Sequence, residues 1–158
     1  MALARDSVSA FVALGANLGD AMVAVQQAAQ ALAGIPGTQL LACSSWYRSA
    51  PVLASGPDFV NGVAQISTQL SAPELLQQLQ LLEQGAGRLR PYPNAPRTLD
   101  LDLLLYGLAQ MDSPALTLPH PRMWQRAFVL LPLSELAPDR VTAAQLAAVR
   151  TQVIERVV

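Results

Sequence analysis

The order of elements in this chain predicts an α/β (α+β) domain with a split βαβ, ferredoxin-like βαββαβ core. Apolar runs suited to strands recur at 8–14, 39–47, 59–68 and 99–106. Two stretches with apolar residues at three- and four-residue steps lie between them, one after Asp20 and one after Ser71. The resulting order is strand, helix, strand, strand, helix, strand, which is that of the split βαβ unit. With 158 residues, the chain is long enough for one domain with a sizeable core and too short for two ordinary ones.

The elements follow in order. Val8 to Leu14 reads as a buried strand ending in the turn Gly15-Ala16-Asn17-Leu18-Gly19-Asp20, whose two glycines can take positive φ. Asp20 then caps a helix with the stripe Met22, Val25, Ala29 and Leu32, closed by Gly34 and Pro36. A strand, glycine turn and helix also begin dinucleotide-binding domains, but G-x-x-x-G lacks the G-x-G-x-x-G fingerprint. Close strand-to-helix packing is the expected reason for the glycines. Gln39 to Tyr47 reads as one strand, leading through Arg48 to Val52 into a loop at 53–57. In the strand Phe59 to Thr68, Val60, Gly62, Ala64 and Ile66 share the core face, and Phe59 and Asn61 share the other. An aromatic ring beside a carboxamide suits a flat heterocycle, and it equally suits a hairpin end with a turn-forming Asn. Ser71-Ala72-Pro73-Glu74 is a capping box opening a helix with Leu75, Leu76, Leu79 and Leu82 on one side. Gln80 and Glu83 lie one turn apart on it, and Gly85 to Gly87 end it. Pro91, Pro93 and Pro96 make the segment carrying Arg88 and Arg90 a loop.

That loop runs into Arg97-Thr98-Leu99-Asp100-Leu101-Asp102-Leu103-Leu104-Leu105-Tyr106. Period-two alternation puts Asp100 and Asp102 on one face and Leu99, Leu101, Leu103 and Leu105 on the other. Two acids in an apolar strand are costly to bury unpaired. They sit at a wet strand end, or a cation neutralises them, and Mg²⁺, which takes oxygen ligands and is usually shared with phosphates, is the natural candidate. Arg97 offers a planar fork suited to phosphate. Beyond the strand, Leu116 to Pro121 is a rigid extended piece. His120, the lone histidine, reads first as a hydrogen-bonding loop residue. Arg122 to Gln125 form a helical turn and Val129 to Leu133 an apolar run. Leu146, Val149 and Val153 mark a final helix capped by Thr142.

Composition bounds the function. The chain is 52% hydrophobic and 13% charged, as a globular protein is. A net charge of −1 supplies no basic field for nucleic acid. No apolar run reaches spanning length, and Met1 to Val8 lacks the regions of a signal peptide, so no membrane association and a cytoplasmic location are expected. The single cysteine, Cys43, excludes an internal disulfide and a Cys-based zinc site. All ten basic residues are Arg, so a phosphate clamp must be built from guanidinium groups and backbone amides rather than a P-loop lysine.

Several of these pieces together resemble one family. Gly15 to Asp20, Ser45-Trp46-Tyr47-Arg48-Ser49, Asp58-Phe59-Val60-Asn61, Gly87-Arg88-Leu89-Arg90, Ala95-Pro96-Arg97-Thr98-Leu99-Asp100-Leu101-Asp102 and Leu118-Pro119-His120-Pro121-Arg122-Met123 occur in the order found in 6-hydroxymethyl-7,8-dihydropterin pyrophosphokinases. The resemblance runs from about Phe11 to Asp139. It implies transfer of an intact pyrophosphoryl group from ATP to the pterin hydroxymethyl oxygen, with release of AMP, in folate biosynthesis. It also implies a monomeric three-layer α/β/α sandwich acting on small molecules alone. By position in the motifs, Asp100 and Asp102 would hold two Mg²⁺ ions, and Arg88 and Arg97 would clamp the triphosphate. Gln80, Glu83, Arg90, Leu103, Thr117, His120 and Arg126 would surround ATP. Ser49, Ala50 and Val52 would line the pterin pocket, Asn61 would read the pterin edge, and Phe59 and Phe128 would flank its ring, with Asp100 beside the hydroxyl.

Departures from the family pattern are local. Pro93 and Asn94 stand where a large aromatic and a further Arg are often found, Phe59 replaces a common Tyr, Pro121 another Tyr, and Ala115 a basic residue. Two other classes share part of the pattern. Nucleotidyl transferases use paired Asp on a similar sheet but need a basic track for a template or primer. A non-catalytic ligand-binding module would bind a small molecule without Mg²⁺ dependence.

Overall fold

The structure is a computed structural model and describes residues 6–50, 57–86 and 99–157. In chain order the elements are β1 (Val8–Ala16), α1 (Ala21–Leu32), β2 (Thr38–Cys43), β3 (Tyr47–Ser49), β4 (Phe59–Thr68), α2 (Ala72–Ala86), β5 (Asp100–Tyr106), β6 (Met111–Asp112), β7 (Thr117–Leu118), α3 (Ala127–Leu136), α4 (Ala143–Ala148) and β8 (Ile154–Arg156). One mixed α/β unit results, with an antiparallel sheet ordered β5-β1-β4-β3-β8. β2 also pairs with β4, beyond β3, and β6 and β7 form a separate two-stranded ribbon.

The helix starts follow their sequence signals. The Asp20 carboxylate accepts from Val23 N at 3.2 Å, capping α1. The Ser71 and Glu74 capping box closes in both directions, at 3.2 and 2.8 Å. Thr142 and Gln145 form a second box at the start of α4, at 3.1 and 2.8 Å.

Each face of the sheet carries its own apolar cluster. One unites Val12, Leu14, Ala64, Ile66, Leu101 and Leu103 with Val25 and Leu32 of α1 and Leu75 and Leu79 of α2. The other unites Phe11, Ala13, Val63, Leu104 and Leu105 with Leu130 and Leu133 of α3 and with Val141 and Val149. Each fully buried leucine contributes on the order of 1.5–3 kcal/mol, so these two layers dominate stability.

Four expectations change, each for a physical reason. β1 runs to Ala16, because Gly15 and Ala16 pair with Asn61 and Val60. Gly15 is therefore extended strand, and the positive φ of the following turn belongs to Gly19 (φ 60°). The expected strand 39–47 divides into β2 and β3, since Ser44 N donates to Val63 O and Ser44 Oγ accepts from Val63 N, holding the chain against β4 without regular pairing. In β5 the register against β1 shifts between Phe11 and Val12, leaving Leu104 as an extra residue. Leu105 thus joins the α3-side cluster, and Tyr106 turns to the α2 side, where its hydroxyl donates to Leu70 O at 2.5 Å. Finally, α4 ends at Ala148, so Val153 is 83% exposed and the chain continues as β8 against β3. The run at 129–133 lies inside α3 despite Pro132, its helical period hidden because Ala127, Val129, Leu130, Pro132 and Leu133 are all buried.

α3 is tied to β3 and the residues leading into it by Glu135, which accepts from Ser45 N at 2.9 Å and from the Tyr47 hydroxyl. Burial and the Glu135 carboxylate push the Tyr47 phenol up to about 12. Burial raises the Glu135 carboxyl, but the Tyr47 hydroxyl, the Ser45 amide and the Arg156 guanidinium outweigh it and hold the group below its ordinary value.

Two substitutions check this arrangement. Leu79→Ala, on a fully buried side chain, should lower the unfolding free energy by about 2–5 kcal/mol in a denaturant titration. Val153→Ala should stay within about 0.5 kcal/mol of the parent; a core-sized loss there would mean that the last helix extends beyond α4.

Candidate active site

Sheet register assembles the site. Gly15 lies opposite Asn61 on one side and Asp100 on the other, and Tyr47 lies opposite Asn61. Asp100, Gly15, Asn61 and Tyr47 are thus one row across β5, β1, β4 and β3. The next row is Asp102, Ala13 and Val63. Ala13 and Val63 belong to the α3-side cluster, so by strand alternation Asp100, Asp102, Gly15 and Asn61 all face that side. Asp100 and Asp102 are each half-buried, with Cα atoms about 7 Å apart along the strand. The sequence expectation of two acids on one sheet face therefore holds.

Asn61 is 6% exposed, and its Oδ1 accepts from Ser49 Oγ at 2.7 Å. Phe59 pairs with Ser49 across β4 and β3 and shares the Asn61 face. Phe128, in the first turn of α3, packs against the apolar cluster of that same face, and Arg126 lies over its ring at 5.5 Å. Ala50 is exposed just past β3. Val52, Arg88, Arg90 and Arg97 lie outside the described residues.

A hollow of about 250 Å³ opens along the outer edge of β5. Asp102, Leu103, Thr117 and His120 line it together with Leu76, Ala115 and Pro121. Asp102 belongs to both regions, so three residues expected around a nucleotide converge on an acid expected to hold a metal. His120 is anchored by its backbone N donating to Leu104 O at 3.0 Å. Its Nδ1 accepts from Arg122 N at 3.2 Å, which leaves the ring proton of the neutral form on Nε2. Burial pulls the His120 pKa below its ordinary value; Asp102 opposes this, and Arg126 and Arg122 add to it.

Three described residues expected around the nucleotide, Gln80, Glu83 and Arg126, are not in the lining of this hollow. Glu83 accepts from Leu101 N at 3.1 Å, so it braces the strand between the two acids. Gln80 is exposed on α2, whose Leu76 lines the hollow instead. Leu76 escapes sequence reasoning because a leucine in a helical stripe carries no sign of a ligand. Gly15 is the other omission. A Cβ there would come within 2.8 Å of Asn61 Nδ2, so the glycine serves the sheet face opposite α1, not strand-to-helix packing. Only the register of β1 against β4 reveals this.

A family model described as 7,8-dihydro-6-hydroxymethylpterin-pyrophosphokinase matches residues 11–138. The chain belongs to this pyrophosphokinase family. It is similar to enzymes named 2-amino-4-hydroxy-6-hydroxymethyldihydropteridine pyrophosphokinase from three bacteria. With the Synechocystis protein it shares 48% identity over 132 residues, covering 84% of this chain and 68% of the relative. The Pseudomonas aeruginosa protein is 48% identical over 130 residues, covering 82% and 80%. The Haemophilus influenzae protein is 42% identical over 135 residues, covering 85% and 84%. The matched span contains both acids, Asn61, Phe59, His120, Arg126 and Phe128, so the pyrophosphokinase match covers the sheet row and the hollow beside it.

Because His120 is the lone histidine, its ring signal in a proton NMR titration of the metal-free protein is unambiguous. The midpoint should lie below 6.5, and Asp102→Asn should lower it further by removing the opposing charge. The depressed pKa means that stability from this group is present above pH 6.5 and is lost as pH falls toward the folded value. A midpoint above 6.5 would contradict the burial of the ring.

Proposed function

We propose that this pyrophosphokinase uses ATP as donor and two Mg²⁺ ions held by Asp100 and Asp102 to form the diphosphate of 6-hydroxymethyl-7,8-dihydropterin, as a step of folate biosynthesis. The single observation that carries the site assignment is the row Asp100–Gly15–Asn61, with Asp102 opening onto the adjoining hollow. Supporting the metal reading, the donor set is two carboxylates on one half-exposed strand face. Such hard oxygen ligands leave coordination positions for water and phosphate, as Mg²⁺ requires. When bound, Mg²⁺ supplies charge neutralisation at the phosphate oxygens.

The chain's own residues do the rest. In the reaction the hydroxymethyl oxygen bonds to the β-phosphorus of ATP, the α–β bridge bond breaks, AMP leaves and the alcohol proton is lost. Transfer of this kind asks a protein chiefly for position and charge. Asn61 pairs with the heterocycle edge, Phe59 and Phe128 flank its faces, and Ser49, Ala50 and Val52 close the pocket. The hydroxymethyl group then lies toward Asp100, two strand spacings or about 9.5 Å from Asn61. Leu103, Thr117, His120 and Arg126 receive the nucleotide, with Gln80, Glu83 and Arg90 around them. Neutral His120 offers Nε2–H as a donor, and Arg88 and Arg97 clamp the triphosphate.

The fold this reading expects is a single domain over residues 1–158, with a ferredoxin-like core in three layers. Its support is the strand order β5-β1-β4 followed by β2 and β3, with α1 and α2 on one face and α3 and α4 on the other. Action as a cytoplasmic monomer on small molecules alone belongs to the same reading. Among the described residues, no helix is long and apolar enough to cross a membrane.

Incubation with ATP, hydroxymethyldihydropterin and Mg²⁺ should yield AMP and the pterin diphosphate, and chelation of Mg²⁺ should stop it. Asp100→Ala and Asp102→Ala should each lower kcat by about two orders of magnitude or more while unfolding as cooperatively as the parent. Near-normal turnover in either variant would remove the metal assignment, and ADP in place of AMP would remove the pyrophosphoryl one.

A further inference from the structure

Asn61 is held by two neighbours, Gly15 beneath its amide and Ser49, which lies in the proposed pocket and also bonds to the amide. The residue is more than nine-tenths buried, and its carboxamide can present either end to a ligand, because χ2 of asparagine is a broad, roughly two-fold torsion. The end presented decides whether Asn61 donates or accepts. Ser49 Oγ donates to Oδ1 at 2.7 Å, occupying one lone pair of the acceptor end and fixing the plane of the amide. Nδ2 is left over Gly15, 2.8 Å from where a Cβ would stand, a separation real side chains do not tolerate. Among the described residues no hydrogen-bond partner meets Nδ2, and no buried side-chain nitrogen or oxygen goes unsatisfied, so this end stays open to a ligand. Gly15 lies between Asn61 and Asp100 in the row, so the donor end points along that row toward the acid.

We propose that Ser49 and Gly15 are positioning residues that lock the Asn61 carboxamide with its N–H₂ end over the bare backbone of Gly15, selecting a bicyclic heterocycle that offers a ring acceptor between Asn61 and Asp100. This rests on the reading of Asn61 as the residue that pairs with the pterin. It adds that Asn61 alone does not set the selectivity. Without the Ser49 hydroxyl the amide turns freely and presents the wrong end part of the time. With a methyl at Gly15 the amide must swing away and stretch its bond to Ser49.

The test uses the full chain and calorimetric binding of hydroxymethyldihydropterin in the presence of Mg²⁺ and a non-hydrolysable ATP analogue, with binding of the analogue alone as the control for folding. Ser49→Ala should weaken the pterin about tenfold and leave the ATP analogue unchanged, while Ser49→Thr, which keeps the hydroxyl, should restore the affinity. Gly15→Ala should show the same split between pterin and nucleotide. In an Asn61→Ala background, Ser49→Ala should cost nothing further, because the group it orients is gone. Full pterin affinity in Ser49→Ala, or an undiminished Ser49→Ala loss in the Asn61→Ala background, would overturn the proposal while leaving Asn61 as the reader. Unchanged pterin affinity in Asn61→Ala itself would instead remove the reading on which it rests. Should Gly15→Ala fail to bind the ATP analogue through misfolding, the Ser49 series still decides.

Discussion

The register of β1 between its two antiparallel neighbours is the constraint on which the site depends. Side chains alternate across a strand, so a slip of one residue would send Asp100, Asp102 and Asn61 to the α1–α2 face, into a packed apolar layer. That slip is forbidden by the same leucines that build the layer. Val12, Leu14, Ile66, Leu101 and Leu103 must all remain buried together, and the acids and the carboxamide then have one face left to occupy. The core thus sets the site by exclusion.

Electrostatics refine what register sets. Asp100 and Asp102 stay only partly buried at the strand start, which spares their carboxylates the cost of full burial. His120 is kept toward neutrality by burial and by the nearby Arg126 and Arg122, so it adds a donor without adding a competing cation. Arg126 also lies over Phe128, joining a cation that acts on His120 to a ring packed on the α3-side cluster. Across the sheet, Glu135 binds α3 to Ser45 and Tyr47, which holds the helix bearing Phe128 against β3, the strand bearing Ser49.

Much of this was legible in the residues. Period-two alternation placed both acids on one face, and the capping signals of Asp20, Ser71 and Thr142 located helix starts that the structure keeps. The split of β2 from β3 was not legible, because it depends on Ser44 meeting Val63 from a distant strand. Nor was the bulge at Leu104, since after Asp102 three leucines and a tyrosine give period two no polar marker to break against. α3 was hidden for the opposite reason: it is apolar on several sides and contains Pro132. Gly15 shows the same limit within the site. Its local sequence suggests a turn, whereas its role comes from Asn61, a residue on another strand that no local pattern brings to it.

In the proposed function, the acid end and the carboxamide end of one sheet row address opposite ends of the same substrate. The most direct test of this replaces Mg²⁺ by paramagnetic Mn²⁺ in the complex with a non-hydrolysable ATP analogue and isotope-labelled hydroxymethyldihydropterin. The hydroxymethyl carbon signal should broaden far more than the 2-amino nitrogen signal, and Asp100→Ala together with Asp102→Ala should abolish the difference. Equal broadening at both ends, or stronger broadening at the amino end, would contradict the account.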